Sequence, residues 1–141
     1  MKKMEIDDLI GLFKVLSDKT RLRIMHLLVT SQTGVCVCEI MDALSENQYN
    51  VSRHLRVLKS VGLVQEKRLG KWANYALAKP ENQLQRLCIE IVSSLPKELF
   101  ALDALRLEKR LALRVNGKCV IGVKSPEWQK IVAQLSQEGG S

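Results

Sequence analysis

Apolar residues recur along the chain with a helical period, switch to alternation, and return to the helical period. Ile6, Leu9, Ile10, Phe13 and Leu16 mark one apolar face of a helix over Met4 to Leu16. Ser17-Asp18-Lys19-Thr20 supplies capping side chains for a second helix carrying Leu22, Ile24, Met25, Leu27 and Leu28, which ends in a turn from Thr30 to Gly34. Cys36 to Leu44 reads as a short third helix with Val37, Ile40, Met41 and Leu44 inward. The polar turn Ser45-Glu46-Asn47 offers an N-cap for a fourth helix running to about Ser60, and Gly62 stops it. Leu63 to Leu69 and Trp72 to Ala78 are strand-like around Gly70-Lys71, predicting a β-hairpin that Pro80 closes. Glu81 to Leu95 is amphipathic again, with Leu84, Leu87, Cys88, Ile91, Val92 and Leu95 on one side.

The last third is harder to read. Leu99 to Lys109 suits a helix. Leu111, Leu113 and Val115 then alternate into Asn116-Gly117, a strong hairpin signal, with Lys118 to Val123 as the return strand. Ser125-Pro126-Glu127 starts a final helix with Trp128, Ile131, Val132 and Leu135 as its stripe, and the Glu-Gly-Gly-Ser end is expected to fray. The division expected is residues 1–98 for DNA binding and dimerisation, followed by an extension over 99–141.

A helix, a short turn, a second helix and a basic hairpin is the order of a winged helix-turn-helix, mainly α with a small β-hairpin wing. The fourth helix supports that reading. At about 100° per residue, Leu55 and Leu58 fall within about 40° of Val51, with His54 and Val61 flanking them. Tyr49, Ser52, Arg53, Arg56 and Ser60 fall on the far side, and no carboxylate occurs from Gln48 to Ser60. Solvated faces usually mix signs; this one suits phosphates and base edges. Gln48, Tyr49, Ser52, Arg53 and Arg56, with Lys67, Arg68 and Lys71 near the hairpin tip, are the candidate DNA contacts. His54 is expected to pack and bond backbone, and His26 to be structural.

Composition narrows the partners. Lys and Arg number 22 against 15 Asp and Glu, a formal net charge of +7 that attracts polyanions, duplex DNA first. Aromatics at 4% argue against a single-strand binder that stacks bases on rings. No apolar run is long enough for a membrane span, and no apolar stretch follows the N-terminal lysines, so a cytoplasmic, reduced protein is expected. The four cysteines then read as buried thiols, metal ligands or redox sensors. Cys36 and Cys38 would point about 200° apart on a regular helix, so they can share an ion only if Cys36 precedes the cap or the first turn unwinds. Their place at a helix N-terminus favours thiolates, soft ligands for thiophilic ions. Cys88 belongs to an apolar stripe, whereas Cys119 lies in a segment that a minimal winged helix does not need. There is no Cys-x-x-Cys and no acid–base pair beside the thiols, so an enzyme is not expected.

Phe13 to Lys79 resembles the ArsR/SmtB family of metal-sensing repressors. The resemblance is carried by Phe13-Lys14-Val15-Leu16-Ser17-Asp18-Lys19-Thr20-Arg21-Leu22-Arg23-Ile24, by Cys36-Val37-Cys38-Glu39-Ile40, by Asn50 to Leu58 with Ser60-Val61-Gly62-Leu63-Val64, and by Gly70-Lys71-Trp72 with Tyr75 and Leu77. It implies a homodimer built on the first helix and on Glu81 to Leu95, an inverted-repeat operator, and release when an inducer binds the cysteines. The Cys-Val-Cys box is closest to the arsenite and antimonite sensors and also occurs in cadmium and lead sensors. Met41 stands where the arsenite pattern has its third cysteine, residues 1 to 12 hold none, and Glu81 to Leu95 lacks the Asp and His of the family's zinc site. The expected inducer is therefore As(III) or Sb(III) on Cys36 and Cys38, with Cys119 of either protomer, or an external thiol, as third ligand. A thiol switch responding to oxidant or sulfide, or a cadmium or lead sensor, is the alternative on the same fold.

Overall fold

A computed structural model describes residues 3–139; the last two residues of the Glu-Gly-Gly-Ser end lie outside that range. The helices are α1 (Ile6–Leu16), α2 (Lys19–Thr30), α3 (Val37–Leu44), α4 (Gln48–Ser60), α5 (Gln83–Ser94), α6 (Ala101–Leu111) and α7 (Pro126–Gly139), with a 3-10 turn at Lys97–Phe100. Three strands, β1 (Val35–Cys36), β2 (Val64–Leu69) and β3 (Trp72–Leu77), form an antiparallel sheet in the order β1-β3-β2. The winged helix-turn-helix read from the sequence is therefore the observed fold.

The caps act locally; those at Asp18, Asn47 and Ser125 are used as read, and Asn82 adds one that was not read. Asp18, Asn47 and Asn82 each accept the backbone N–H three residues on, at 3.0, 2.8 and 2.8 Å, starting α2, α4 and α5. Ser125 Oγ accepts the Trp128 N–H at 3.1 Å, ahead of Pro126 in the first turn of α7. Gly62 at φ +76° reverses the chain from α4 into the wing; a Cβ there would stand 2.4 Å from Gln85 Nε2, which donates to the Val61 carbonyl.

Ile24, Met25, Leu27, Ile40, Leu44, Val51, Leu55, Leu58 and Leu63 meet in one core. Burying each is worth about 1.5–3 kcal/mol, and together they fix α4 against α2 and α3. Two amphipathic helices carry more apolar surface than this core consumes. In α1, Leu12 and Val15 are buried while Ile6, Ile10 and Phe13 face outward; in α5, Leu87 and Ile91 do the same.

Two expectations are corrected. The third helix starts at Val37, because Val35 and Cys36 are drawn into β1 by pairing with Tyr75 and Asn74. The C-terminal hairpin is not formed: α6 continues through Leu111, and only a single bridge, Val115 to Lys118, closes the Asn116-Gly117 turn. Arg110 in the last turn of α6 and Arg114 just beyond it both find carboxylates on α3, which holds this stretch against that helix instead of leaving it to pair as a strand.

Candidate nucleic-acid interface and thiol site

The outward face of α4 is as read. Gln48, Tyr49, Arg53 and Arg56 are exposed and Ser52 half-buried, and together they line one shallow depression. The Arg53 guanidinium lies 5.8 Å from the Tyr49 ring centroid, which steadies both side chains. In the wing, Lys67, Arg68 and Lys71 are all exposed around Gly70, which takes φ +64°. Lys71 Nζ sits 5.0 Å from the Trp72 ring centroid.

His54 is buried beneath this face, but its partner is a side chain rather than backbone. Arg21 can only donate, and its Nη1 lies 3.1 Å from His54 Nδ1, while Arg53 Nη2 lies 3.5 Å from Nε2. Burial holds the His54 pKa below the ordinary histidine range. Arg21 Nε also donates to the Val15 carbonyl, so the reading helix is tied to the α1–α2 junction. His26 is buried and stacked on Phe100, with centroids 4.2 Å apart, as a structural histidine.

At the other end of α3, Cys36 is the N-cap in extended backbone, and it closes an unusual capping box. The Glu39 N–H donates to its sulfur while the Cys36 N–H donates to Glu39 Oε1 at 3.0 Å. Cys36 thus stands before the helix, as sharing an ion with Cys38 requires. Cys36 is fully buried and Cys38 nearly so. The loop after α6 brings Cys119 to Cys36, with their sulfurs 3.0 Å apart. The ligand atoms of Cys36, Glu39 and Cys119 lie within 4.8 Å of one another; Cys38 stands outside that group. Cys88 is buried in the core and is not part of the site.

The protonation pattern differs from the expected pair of thiolates. Cys36 is pushed well up, first by its hydrogen bond to Cys38 and then by burial. That same bond holds Cys38 below the ordinary thiol range. Burial pushes Cys119 up to about 12. Burial thus outweighs the helix N-terminus at Cys36 and Cys119, and Cys38 alone is shifted downward, by its bond with Cys36.

Four functional residues were not foreseen. Glu39 receives Arg114 Nε at 2.7 Å and Nη2 at 2.6 Å, and Arg114 also donates to Gly34 O and Thr33 Oγ1. Asp42 receives Arg110 Nε at 2.8 Å and the Lys124 N–H at 3.0 Å, while Arg110 Nη2 donates to the Ile121 and Gly122 carbonyls. These two arginines fasten the Cys119 loop to α3. Two carboxylates inside an otherwise apolar helix, and two arginines four apart, were the available signal.

Comparison with known proteins agrees with this architecture. The family described as bacterial regulatory protein, arsR family, matches residues 18–66. The chain is 38% identical over 96 residues to the arsenic resistance transcriptional regulator ArsR2 of Pseudomonas putida, covering 68% of this chain and 83% of that one. It is 46% identical over 70 residues to the arsenical resistance operon repressor of Escherichia coli, covering 49% of this chain and 58% of the repressor. The homodimeric winged helix-turn-helix DNA-binding domain Mb0332 of Mycobacterium bovis superposes with a TM-score of 0.52 at 28% identity, over 70% of this chain and 94% of that domain. Among the described residues no helix is long and apolar enough to cross a membrane. The likeness runs from the capped start of α2 through the reading helix into the wing, and by it the chain belongs to the arsR family of bacterial transcriptional regulators.

Proposed function

We propose that the protein is a homodimeric repressor that binds an inverted-repeat operator and releases it when arsenite or antimonite is captured by Cys36, Cys38 and Cys119. The observation that carries this reading is the contact of Cys36 with Cys119, beside Cys38 on the helix that precedes the reading helix. Two relatives named for arsenic or arsenical resistance support the metalloid. The outward apolar residues of α1 and α5, together with the homodimeric Mb0332 domain, support the dimer.

The chemistry balances without a redox step. As(OH)3 exchanges its three hydroxides for three sulfurs, and each hydroxide leaves as water with a thiol proton. The Cys38 sulfur attacks first and Cys36 and Cys119 follow, each of the three thiols supplying the one proton that leaves with a departing hydroxide. Drawing Cys38 toward the other two sulfurs distorts the first turn of α3, and α4 follows. Coupling of this kind typically amounts to 1–3 kcal/mol.

The test is operator binding followed by fluorescence anisotropy. Arg56→Ala should weaken specific binding by about 1–3 kcal/mol if that side chain reads a base. The Cys36→Ser, Cys38→Ser double variant should bind DNA normally yet stay bound in arsenite. Normal release by that variant would sink the mechanism.

The 3.0 Å contact also favours a second reading, in which a peroxide oxidises Cys36 and Cys119 to a disulfide. The thiols lose two hydrogens, and hydrogen peroxide, as the oxidant, leaves as two waters. Peroxide-driven release that persists in Cys38→Ser and stops in Cys119→Ser would favour this switch over metalloid capture.

A further inference from the structure

A cavity of about 530 Å³ separates the wing from the Asn116-Gly117 turn. Its floor is one face of the hairpin. The cross-strand pairs Gln65–Ala76, Lys67–Asn74 and Leu69–Trp72 are alternate pairs of the β2–β3 ladder, so their side chains share that face. The facing wall includes Thr33, Gly34, Gly117 and Lys118. Small-molecule sites span roughly 300–1,000 Å³, and roughly 150 Å³ already holds a benzene ring, so the space suits a ligand of one or two fused rings.

Two features of the lining select the occupant. The first is apolar. Leu69 is 51% exposed beside the half-buried Trp72, so the floor offers a leucine side chain and an indole that the fold leaves uncovered, a surface for a flat ring. The second is charge. Lys67 rises from the floor and Lys118 stands on the facing wall, both exposed and neither in an ion pair among the described residues. Arg114, the third cation of the lining, is already matched by Glu39. No Asp or Glu lines the cavity. Two lysines facing each other without an anion repel, and an anion between them reverses the sign of that interaction. Gln65 and Asn74 add amide donors. A neutral ring would leave both charges unused, and an inorganic anion would leave the floor unused.

We propose that this cavity is an effector site for aromatic anions, with a planar ring over Leu69 and Trp72 and a carboxylate or phosphate between Lys67 and Lys118. Binding here takes no covalent step and none of the thiols, so the site is independent of the metalloid reading. Lys67 is also a candidate DNA contact. A bound anion therefore occupies a charge on the wing that a DNA phosphate would use, and ligand and DNA weaken each other's binding reciprocally.

Titrate the full chain calorimetrically with 2-naphthoate, with 2-naphthyl phosphate and with the neutral 2-naphthamide. At least one of the anions should bind once per protomer and about tenfold more tightly than the amide, a preference that shrinks as salt rises. Which anion binds more tightly identifies the acid group. Trp72→Ala should weaken the anion about tenfold, and Ala76→Leu, which fills the cavity without removing an aromatic, should act in the same sense. Lys118→Ala should cut the preference over the amide to about threefold, whereas Lys97→Ala, which removes the same net charge outside the lining, should leave it in place. Affinity for a mixed-sequence duplex, followed by anisotropy, should fall at least about twofold at saturating anion in the parent and stay constant in Lys67→Ala. Anions that bind no better than the amide, or that ignore both Trp72→Ala and Ala76→Leu, overturn the site. Duplex affinity unmoved by saturating anion overturns its effector role.

Discussion

The Arg110–Asp42 pair offers a separation of stability from sensing. Both side chains are buried, Arg110 at 0% exposure, and the pair joins α6 to α3. Arg110→Met keeps the stem but strands the Asp42 carboxylate, whose one remaining partner among the described residues is the Lys124 N–H. Stranding a buried charge in this way costs about 3–5 kcal/mol, a large part of a small domain's stability. The freed Ile121 and Gly122 carbonyls add little, because the loop is half-exposed and water can reach them. Adding Asp42→Leu removes the orphan charge and should restore stability to within about 1–2 kcal/mol of the parent. Arg110 Nη1 is itself buried without a hydrogen-bond partner, so the native pair is not optimised for stability. The double variant still lacks the bonds that hold 121–124 on α3. It should therefore fold like the parent yet bind arsenite more weakly, through a loosened Cys119. Urea unfolding followed by circular dichroism gives the stabilities, and arsenite titration gives the affinity. A single Arg110→Met costing under about 1 kcal/mol, or a double variant with parental arsenite affinity, would refute the reasoning.

Other outcomes follow from the same geometry. Burial pushes the Glu39 pKa up, but the Arg114 bonds and the Cys36 N–H outweigh it and hold it below the usual carboxylate range. Its contribution is therefore complete above about pH 4.5 and lost as pH falls through the folded value; chemical unfolding of Glu39→Gln should show a shallower acid limb. Burial also holds the His26 pKa low, so that ring stabilises the fold above about pH 6.5 and loses its contribution as pH falls; His26→Phe should flatten that part of the stability curve. Cys88→Ser should cost about 1–3 kcal/mol in thermal unfolding and leave arsenite release intact. Gly62→Ala should lower the melting temperature, with a strain of about 1–2 kcal/mol at its positive φ in addition to the displaced Gln85.

What the sequence disclosed depended on how far apart the partners lie. The caps at Asp18 and Asn47 act three residues away, and α4's outward face is a property of one segment, so both were legible. β1 is two residues long and exists because Tyr75 and Asn74 lie beside it, which no local period announces. The same holds for α6. Its end was mistaken for a strand because the apolar alternation is local, whereas the carboxylates that Arg110 and Arg114 seek lie 68 and 75 positions away. Of the thiol site, the cysteines could be named from their chemistry and Cys119 from its surplus position. Glu39 looked like one more polar residue of a short helix; its burial only makes sense once Arg114 has arrived.

The clamp made by those arginines decides which part of the molecule can yield when the thiols close on a ligand. Residues 114–124 are fastened to α3 at both Glu39 and Asp42, so Cys119 and the body of α3 move as one piece. Cys36, by contrast, belongs to that piece only through its capping box and belongs equally to the sheet through Asn74. If the sulfurs close around an ion as proposed, the Cys36 junction would be strained: either the first turn of α3 would give, tilting α4, or β1 would drag β3 and the wing. Both responses displace a DNA-contacting element, since α4 leaves α3 through the left-handed turn at Ser45 and the wing tip is the far end of β3. A thiol site elsewhere on α3 would reach only one of them. Its position at the strand-to-helix joint would let one bound atom, captured as proposed, disturb the reading helix and the wing together.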